Sequence, residues 1–365
     1  MNNLESKGKI LVAMSGGIDS SIAAMLLHKE GYDVIGITMK TWDYASSGGS
    51  KKETGCCSLD SINDARNLAV QFGFPHYIID LKEEFGSFII DNFIDEYIGG
   101  RTPNPCVLCN THIKWEALLQ RADQLGCQYI ATGHYASIRE ENGRNVISKG
   151  VDGFKDQSYV LWGISQKNLS RTKFPLGKYT KQEIRNMAME SGFKELATKS
   201  ESYEICFIPD NDYRSFLKRK VNGLEQKVDG GDFVSVNGES LGKHKGYPFY
   251  TIGQRKGLEI AVGSPLYVTK IIAETNTVVL GDKKDLEMQT MIVKDVNLIK
   301  MGEMENGMEV LTKIRYKDAG TMSTLYIADD KIEVHFHKPV MAIAPGQSAV
   351  FYDGDDLLGG GIIER

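Results

Sequence analysis

The sequence predicts an α/β fold in its first half, a doubly wound parallel sheet covered by helices on both faces, followed by a small connecting domain and a C-terminal β-barrel. Three observations carry this reading. Apolar runs alternate with helical patterns through the first half of the chain, as in βαβ units. An apolar run at residues 9–14 passes through a glycine turn directly into a helical pattern. After about residue 210 the texture changes to short β-type runs punctuated by glycine and charge.

The elements follow in order. Residues 9–14 form the first strand, and residues 20–30, with Ile22, Ala23, Met25, Leu26 and Leu27 apolar and Gly31 as a stop, form a helix. A strand at 34–39 precedes a loop at 43–58 that is rich in Ser, Gly and Lys and reads as flexible and site-serving. A helix at 61–72, a strand at 76–80, helices at 84–98 and 110–126, and a strand at 129–131 complete the sheet pattern. Ser15, Met39 and Gly133 then lie at carboxyl ends of strands, where such sheets bind ligands. In the second half, β-type runs fall at 232–236, 266–272, 277–280, 308–314, 323–327, 331–336 and 348–352. The expected domains are residues 1–210, 211–284 and 285–365.

Composition narrows the class. With 365 residues, 41% hydrophobic and 25% charged, the chain has an ordinary soluble composition. No apolar run approaches the roughly 20 residues of a membrane span, and the N-terminus lacks a signal or transit pattern. A cytoplasmic protein without a membrane partner is expected. Six cysteines are too few for a disulfide scaffold and point to catalysis, metal binding or core filling. The net charge of −5 argues against general nucleic-acid affinity, but residues 211–256 hold nine Lys or Arg against five Asp or Glu.

Chemistry concentrates first at Ser15-Gly16-Gly17-Ile18-Asp19-Ser20-Ser21. Unpaired N–H groups at a helix start favour an anion, and the two glycines let phosphates approach the backbone. Ser15, Ser20 and Ser21 add hydroxyl donors, while Asp19 makes sense beside phosphates as a holder of Mg²⁺. No Gly-Lys-Ser/Thr follows, so this is not a Walker A loop. A tight structural turn would explain the glycines but not the serines and Asp19. The segment resembles the signature of the PP-loop ATP pyrophosphatase superfamily, whose members cleave ATP between the α and β phosphates to adenylate an oxygen.

The cysteines select the acceptor. Arg101-Thr102-Pro103-Asn104-Pro105-Cys106-Val107-Leu108-Cys109-Asn110 reads as a proline-braced turn entering a helix near Asn110, with Cys109 beside its N-terminus, where a thiol pKa falls. Cys206 lies in an apolar run and, taken alone, reads as core packing, as does Cys127. Six segments are then similar to the tRNA-specific 2-thiouridylase family, in that family's order: Pro103-Asn104-Pro105 with Cys109-Asn110, Ala131-Thr132-Gly133-His134-Tyr135, Lys155-Asp156-Gln157-Ser158-Tyr159, Ile205-Cys206-Phe207-Ile208, Gly253-Gln254-Arg255-Lys256-Gly257-Leu258 and Pro345-Gly346-Gln347-Ser348-Ala349-Val350-Phe351-Tyr352.

The resemblance implies that ATP adenylates C2 of the wobble uridine of certain tRNAs and that a persulfide on Cys206 supplies sulfur. Cys109 is implied as the partner cysteine that closes a disulfide with Cys206. It further implies ATP contacts from Ala13, Met14, Ser15, Gly16, Gly17, Ile18, Asp19, Ser20, Met39 and Gly133, and target-base contacts from Asn104, Pro105 and Cys106. Contacts to tRNA are implied for Lys155, Asp156, Gln157, Arg315 and Tyr316. Read alone, the first three form a plain polar loop and the last two an exposed strand pair. A sulfur donor such as a cysteine desulfurase or a sulfur-relay protein is the implied partner.

Two departures stand out. Cys106 replaces the Asp that well-known members carry three residues before the nucleophilic cysteine, so Cys106, Cys109 and Cys206 form an alternative ligand set for a [4Fe–4S] cluster. Glu201-Ser202-Tyr203-Glu204 replaces an Asp-Ser-x-Gly pattern. Cys56-Cys57 has no role beyond loop redox or metal chemistry. Against thiolation stand a small-molecule adenylating ligase, whose chemistry needs no thiols, and a non-catalytic RNA-binding relic, which intact Gly16, Gly17 and Asp19 disfavour.

Overall fold

A computed structural model of the chain describes residues 6–42, 58–199, 205–208, 210–260 and 263–364. The expectations for residues 43–57, including Cys56-Cys57, and for residues 201–204 lie outside these. The chain divides into two compact units: Met1–Ile89, Cys106–Asn211 and Asp355–Leu357 in one, and Ile90–Pro105, Asp212–Gly354 and Leu358–Arg365 in the other.

The first unit is built on a parallel sheet. Its strands are β1 (Lys9–Ala13), β2 (Asp33–Lys40), β3 (His76–Asp80), β4 (Tyr129–Ala131) and, after the hairpin β5 (Ala136–Glu141) and β6 (Arg144–Lys149), the short β7 (Thr172–Lys173). The order is β3-β2-β1-β4-β7, all parallel. Ile10, Leu11 and Val12 of β1 are fully buried, as a central parallel strand with helices on both faces requires. Helix α1 (Ile18–Lys29) packs Ala24 and Leu27 with Ile10 and Val12, and Ile22 and Met25 with Ile184 and Ala188. It is therefore apolar nearly all round.

Chain order reverses at β1, with β2 and β3 to one side and β4 and β7 to the other. A crevice opens at such a reversal, outside the carboxyl ends of the strands. Ser15 and Gly133 follow β1 and β4, so they flank it. Helix α2 (Leu59–Phe72) begins at Ser58, whose hydroxyl accepts from Ser61 N at 3.2 Å. It ends at Gly73 with φ 75°.

Two helices differ from expectation. Residues 82–98 form one helix, α3, beginning earlier than expected and carrying a π-helical stretch at Gly86–Ile90. The helix expected from Asn110 starts at Pro105 and runs to residue 124 as α4, because proline at a first helical position sacrifices only an N–H that has no partner there. Its middle, Cys109–Ala117, is π-helical. The hairpin β5–β6 went unrecognised in the sequence pattern, although Asn142 (φ 51°) and Gly143 (φ 73°) are the Asn-Gly pair that a two-residue turn favours.

In the second unit, β8 (Gly231–Ser235), β9 (Ser240–His244), β10 (Tyr267–Ile272) and β11 (Thr277–Gly281) form a sheet in the order β10-β11-β8-β9. Strands β12 (Glu287–Leu298), β13 (Met308–Lys313), β14 (Thr321–Ala328), β15 (Lys331–Met341), β16 (Ser348–Asp353) and β17 (Asp356–Ile363), whose first two residues count with the first unit, follow in the order β12-β15-β14-β13-β16-β17. The β12–β17 pairing closes this run into a barrel. Neither β12 nor β17 was expected. The first is masked by its charges, and the second by Gly359-Gly360-Gly361, which resembles a loop. A Cβ on Gly359 would stand 2.3 Å from Asn297 O and one on Gly361 2.6 Å from Lys294 O, so the glycines mark the closure.

Candidate active site

The phosphate loop is pre-shaped by its own hydroxyls. Ser15 N donates to Ser20 Oγ at 3.0 Å, the Ser15 and Ser20 hydroxyls lie 3.2 Å apart, and Ser20 Oγ donates to Gly17 O at 3.2 Å. Gly17 caps α1 without a side-chain hydrogen bond, which leaves the first N–H groups of the helix directed at a ligand. Gly16 adopts φ +67°, and a Cβ there would lie 1.9 Å from Ser61 O. Gly133 approaches α1 so closely that its Cβ would lie 2.7 Å from Ser20 N. Ser15, Gly16, Gly17, Ser20 and Gly133 are thus brought to one crevice, with Met39 half-buried near the end of β2.

Asp19 is held by two side chains distant in sequence. Lys181 Nζ donates to its two oxygens at 2.7 and 2.8 Å, and Tyr135 Oη donates to Oδ1 at 2.7 Å. Both carboxylate oxygens of Asp19 are therefore engaged by the ammonium, and one of them also by the tyrosine hydroxyl. Lys181, which the sequence pattern did not single out, is thus brought to the loop by the fold. It opens a helix, α5 (Lys181–Glu190), whose Thr180–Glu183 capping box is a local signal that could have drawn attention to it.

A second lysine stands at the same turn. Lys199 Nζ donates to Asp64 Oδ2 at 2.7 Å and reaches Ser61 Oγ at 3.4 Å and Gly16 O at 3.5 Å. It also precedes the cysteine segment by only a few residues.

The thiols are placed differently from their local reading. Cys109 lies one turn inside α4, at the start of the π-helical stretch and half-buried, not at the helix N-terminus. That place belongs to Cys106, which is exposed at its surface yet crowded by protein; the crowding pushes its thiol pKa up and Lys114 pulls it back. Asn110 steadies the stretch by donating from Nδ2 to Val160 O at 2.8 Å. Cys206 is exposed, which overturns core packing for it, while its neighbours Phe207 and Ile208 are buried. Phe207 packs edge-on to Phe85 and against Trp42, so the apolar run anchors the segment and leaves the cysteine outside. Cys127 is buried, as expected.

Among the described residues, no three His, Cys, Asp or Glu side chains gather as a metal site, so Cys106, Cys109 and Cys206 do not present a ready set of cluster ligands. His134, buried beside Gly133, is held well below the ordinary histidine range by desolvation and then by Lys114.

Of the residues implied for tRNA, Asp156 and Gln157 turn inward. Asp156 accepts from Gly150 N, Ser158 N and Ser158 Oγ, and Gln157 Oε1 accepts from Tyr135 N. In the second unit, Asn104 is half-buried and Pro105 buried. The loop before them is held by Gln347, whose Nε2 donates to Thr102 O at 3.1 Å and Pro103 O at 2.9 Å. That is the physical sense of Pro345-Gly346-Gln347. Arg315 and Tyr316 lie in a turn after β13 and not in a strand pair.

Family models described as tRNA methyl transferase HUP domain, tRNA methyl transferase PRC-barrel domain and Aminomethyltransferase beta-barrel domain match residues 8–210, 214–282 and 288–363. The tRNA-specific 2-thiouridylase MnmA of Amoebophilus asiaticus is 63% identical over 98% of this chain and 96% of its own length. Those of Cytophaga hutchinsonii and Salinibacter ruber are 62% and 56% identical, each over 99% of this chain and 98% and 96% of their own lengths. No helix among the described residues is long and apolar enough to cross a membrane. With a phosphate loop at the sheet reversal, an exposed cysteine on an anchored segment and this similarity along nearly its whole length, the chain belongs to the tRNA-specific 2-thiouridylase family.

Proposed function

We propose that the protein uses ATP to replace the C2 oxygen of the wobble uridine of tRNA with sulfur, in the cytoplasm. The observation that carries this reading is the pairing of an uncapped helix start at Gly17 with an exposed Cys206 in the same unit. The uridine O2 attacks the α-phosphorus of ATP, held by Ala13 to Ser20, Met39 and Gly133, and pyrophosphate leaves. A carbonyl oxygen is a poor leaving group until it is so activated. A sulfur donor, such as a cysteine desulfurase or a relay protein, loads Cys206 as a persulfide. Its terminal sulfur attacks C2 and AMP departs with the former carbonyl oxygen. The Cys109 thiolate then attacks Cys206 Sγ, breaking the S–S bond, leaving sulfur on the uridine and forming a Cys109–Cys206 disulfide that a thiol reductant reopens.

Lys181 supports the phosphate loop by keeping Asp19 neutralised, and α1 supplies N–H groups to the phosphates. Asn104, Pro105 and Cys106 face the target base, and Lys155, Arg315 and Tyr316 contact tRNA, with Asp156 and Gln157 shaping the loop that carries Lys155. Magnesium arrives with ATP. The persulfide route is preferred to a [4Fe–4S] cluster because no set of cluster ligands is assembled among the described residues.

The test is mass spectrometry of tRNA nucleosides after incubation with ATP, Mg²⁺ and a sulfur donor. Gain of 2-thiouridine by the wild type and none by Cys206→Ser is the expected outcome. Undiminished product from that variant would remove Cys206 as the sulfur carrier.

A further inference from the structure

Phe154 is 99% exposed, and Val151 nearby is 64% exposed. Both sit on a loop that the first unit holds firmly. Asp152 Oδ1 accepts from Phe154 N at 3.1 Å and Lys155 N at 3.3 Å, and its Oδ2 accepts from Lys181 N at 2.9 Å. Val151 N donates to Gly177 O at 2.9 Å, and Gln157 N to Tyr135 O at 2.9 Å. With Asp156 also turned inward, the loop is bracketed at its base, middle and end. The backbone therefore offers the phenyl ring no route back to the core.

A held ring of this kind exposes both faces. A protein partner is a poor match, because a stable protein interface covers about 800 Å² on each side, and only Val151 and Phe154 are large exposed apolar residues in this segment. One planar ring beside Lys155 matches one planar base on a charged backbone. We propose that Phe154 is a stacking platform for an unpaired base of the tRNA. This rests on the tRNA reading above and deepens it by naming the contact. The same Asp152 that shapes the loop grips the backbone of Lys181, whose ammonium holds Asp19. The platform is thereby tied to the phosphate loop through two residues, so a stacked base stands in a set register to the activated uridine.

The test uses the full chain and unmodified tRNA at one salt concentration, with the salt slope measured separately. Phe154→Ala should raise the tRNA dissociation constant about 5- to 100-fold and leave its salt slope unchanged, since no charge is removed. Phe154→Trp should bind like the wild type, and its emission, corrected for the wild-type signal, should be quenched by tRNA. Wild-type affinity in Phe154→Ala, or an added indole emission in Phe154→Trp that tRNA does not move, overturns the platform while tRNA binding stands. A wild type that binds no tRNA overturns the tRNA reading and the platform with it. Loss of a dimer in Phe154→Ala during size-exclusion chromatography would make a second copy the occupant and also overturn it.

Discussion

Lys181 places its ammonium 2.7 Å from Asp19 with only 9% of its side chain open to water, while Asp19 is 33% open. Removing the cation leaves a carboxylate beside the phosphates of ATP, and like charges there repel. Lys181→Met is expected to cost about 2–3 kcal/mol, below the range for fully buried pairs because Asp19 is partly solvated. ATP–pyrophosphate exchange should fall at least tenfold, with Lys181→Arg retaining more. Urea titrations alongside exchange rates check both, and an active, equally stable Met variant would remove Lys181 from the site. Gly16 makes a sharper case. Its φ of +67° and the 1.9 Å approach of a Cβ to Ser61 O leave Gly16→Ala no room without moving the start of α2. Calorimetry should find no ATP binding by that variant. The glycines and serines of the loop were legible because they are contiguous. Lys181 was not, because it lies 162 residues from Asp19 in sequence and meets it only in the fold.

At the scale of elements, boundaries were readable where local chemistry decides them. The strands at His76–Asp80 and Tyr129–Ala131 lie where the apolar pattern predicts, and Gly73 ends α2 as a left-handed cap. Helix α5 is fastened by a reciprocal box in which Thr180 Oγ1 accepts from Glu183 N and Thr180 N donates to Glu183 Oε2. Thr180→Ala should therefore destabilise the chain by about 1 kcal/mol, read as a lower urea midpoint at unchanged slope. Because Lys181 is the next residue, a loss of exchange activity larger than the loss of stability would show that the cap also aims the ammonium. The cysteines were the least legible. Local pattern placed Cys109 at a helix start and Cys206 in the core. Pro105 began the helix one turn earlier, and the anchoring of Phe207 on Phe85 and Trp42 left Cys206 outside.

At the scale of the molecule, acid stability follows from two buried histidines, His134 and His244, and the half-buried His76. Desolvation lowers the pKa of His134, His76 and His244 below the ordinary value. An unfolded chain takes up these protons near pH 6.5 and the native chain does so only at lower pH. Their contribution is thus complete above that pH and lost as the pH falls through it toward the lowered native values. The melting temperature should drop between pH 7.5 and 5.5, before carboxylates titrate, and His134→Gln should flatten the drop. A melting temperature constant across that window would contradict the desolvation of these rings. The sequence by itself determined the doubly wound sheet, the phosphate loop and the family, since periodicity, turn residues and contiguous motifs are local properties of the chain. Only the tertiary structure decided that Asp19 belongs to Lys181, that Asp156 and Gln157 brace a loop whose free face is Phe154, and that a glycine-rich terminal strand closes the barrel. Each of these depends on side chains or strands distant in sequence, whose meeting is set by packing and not by neighbouring residues.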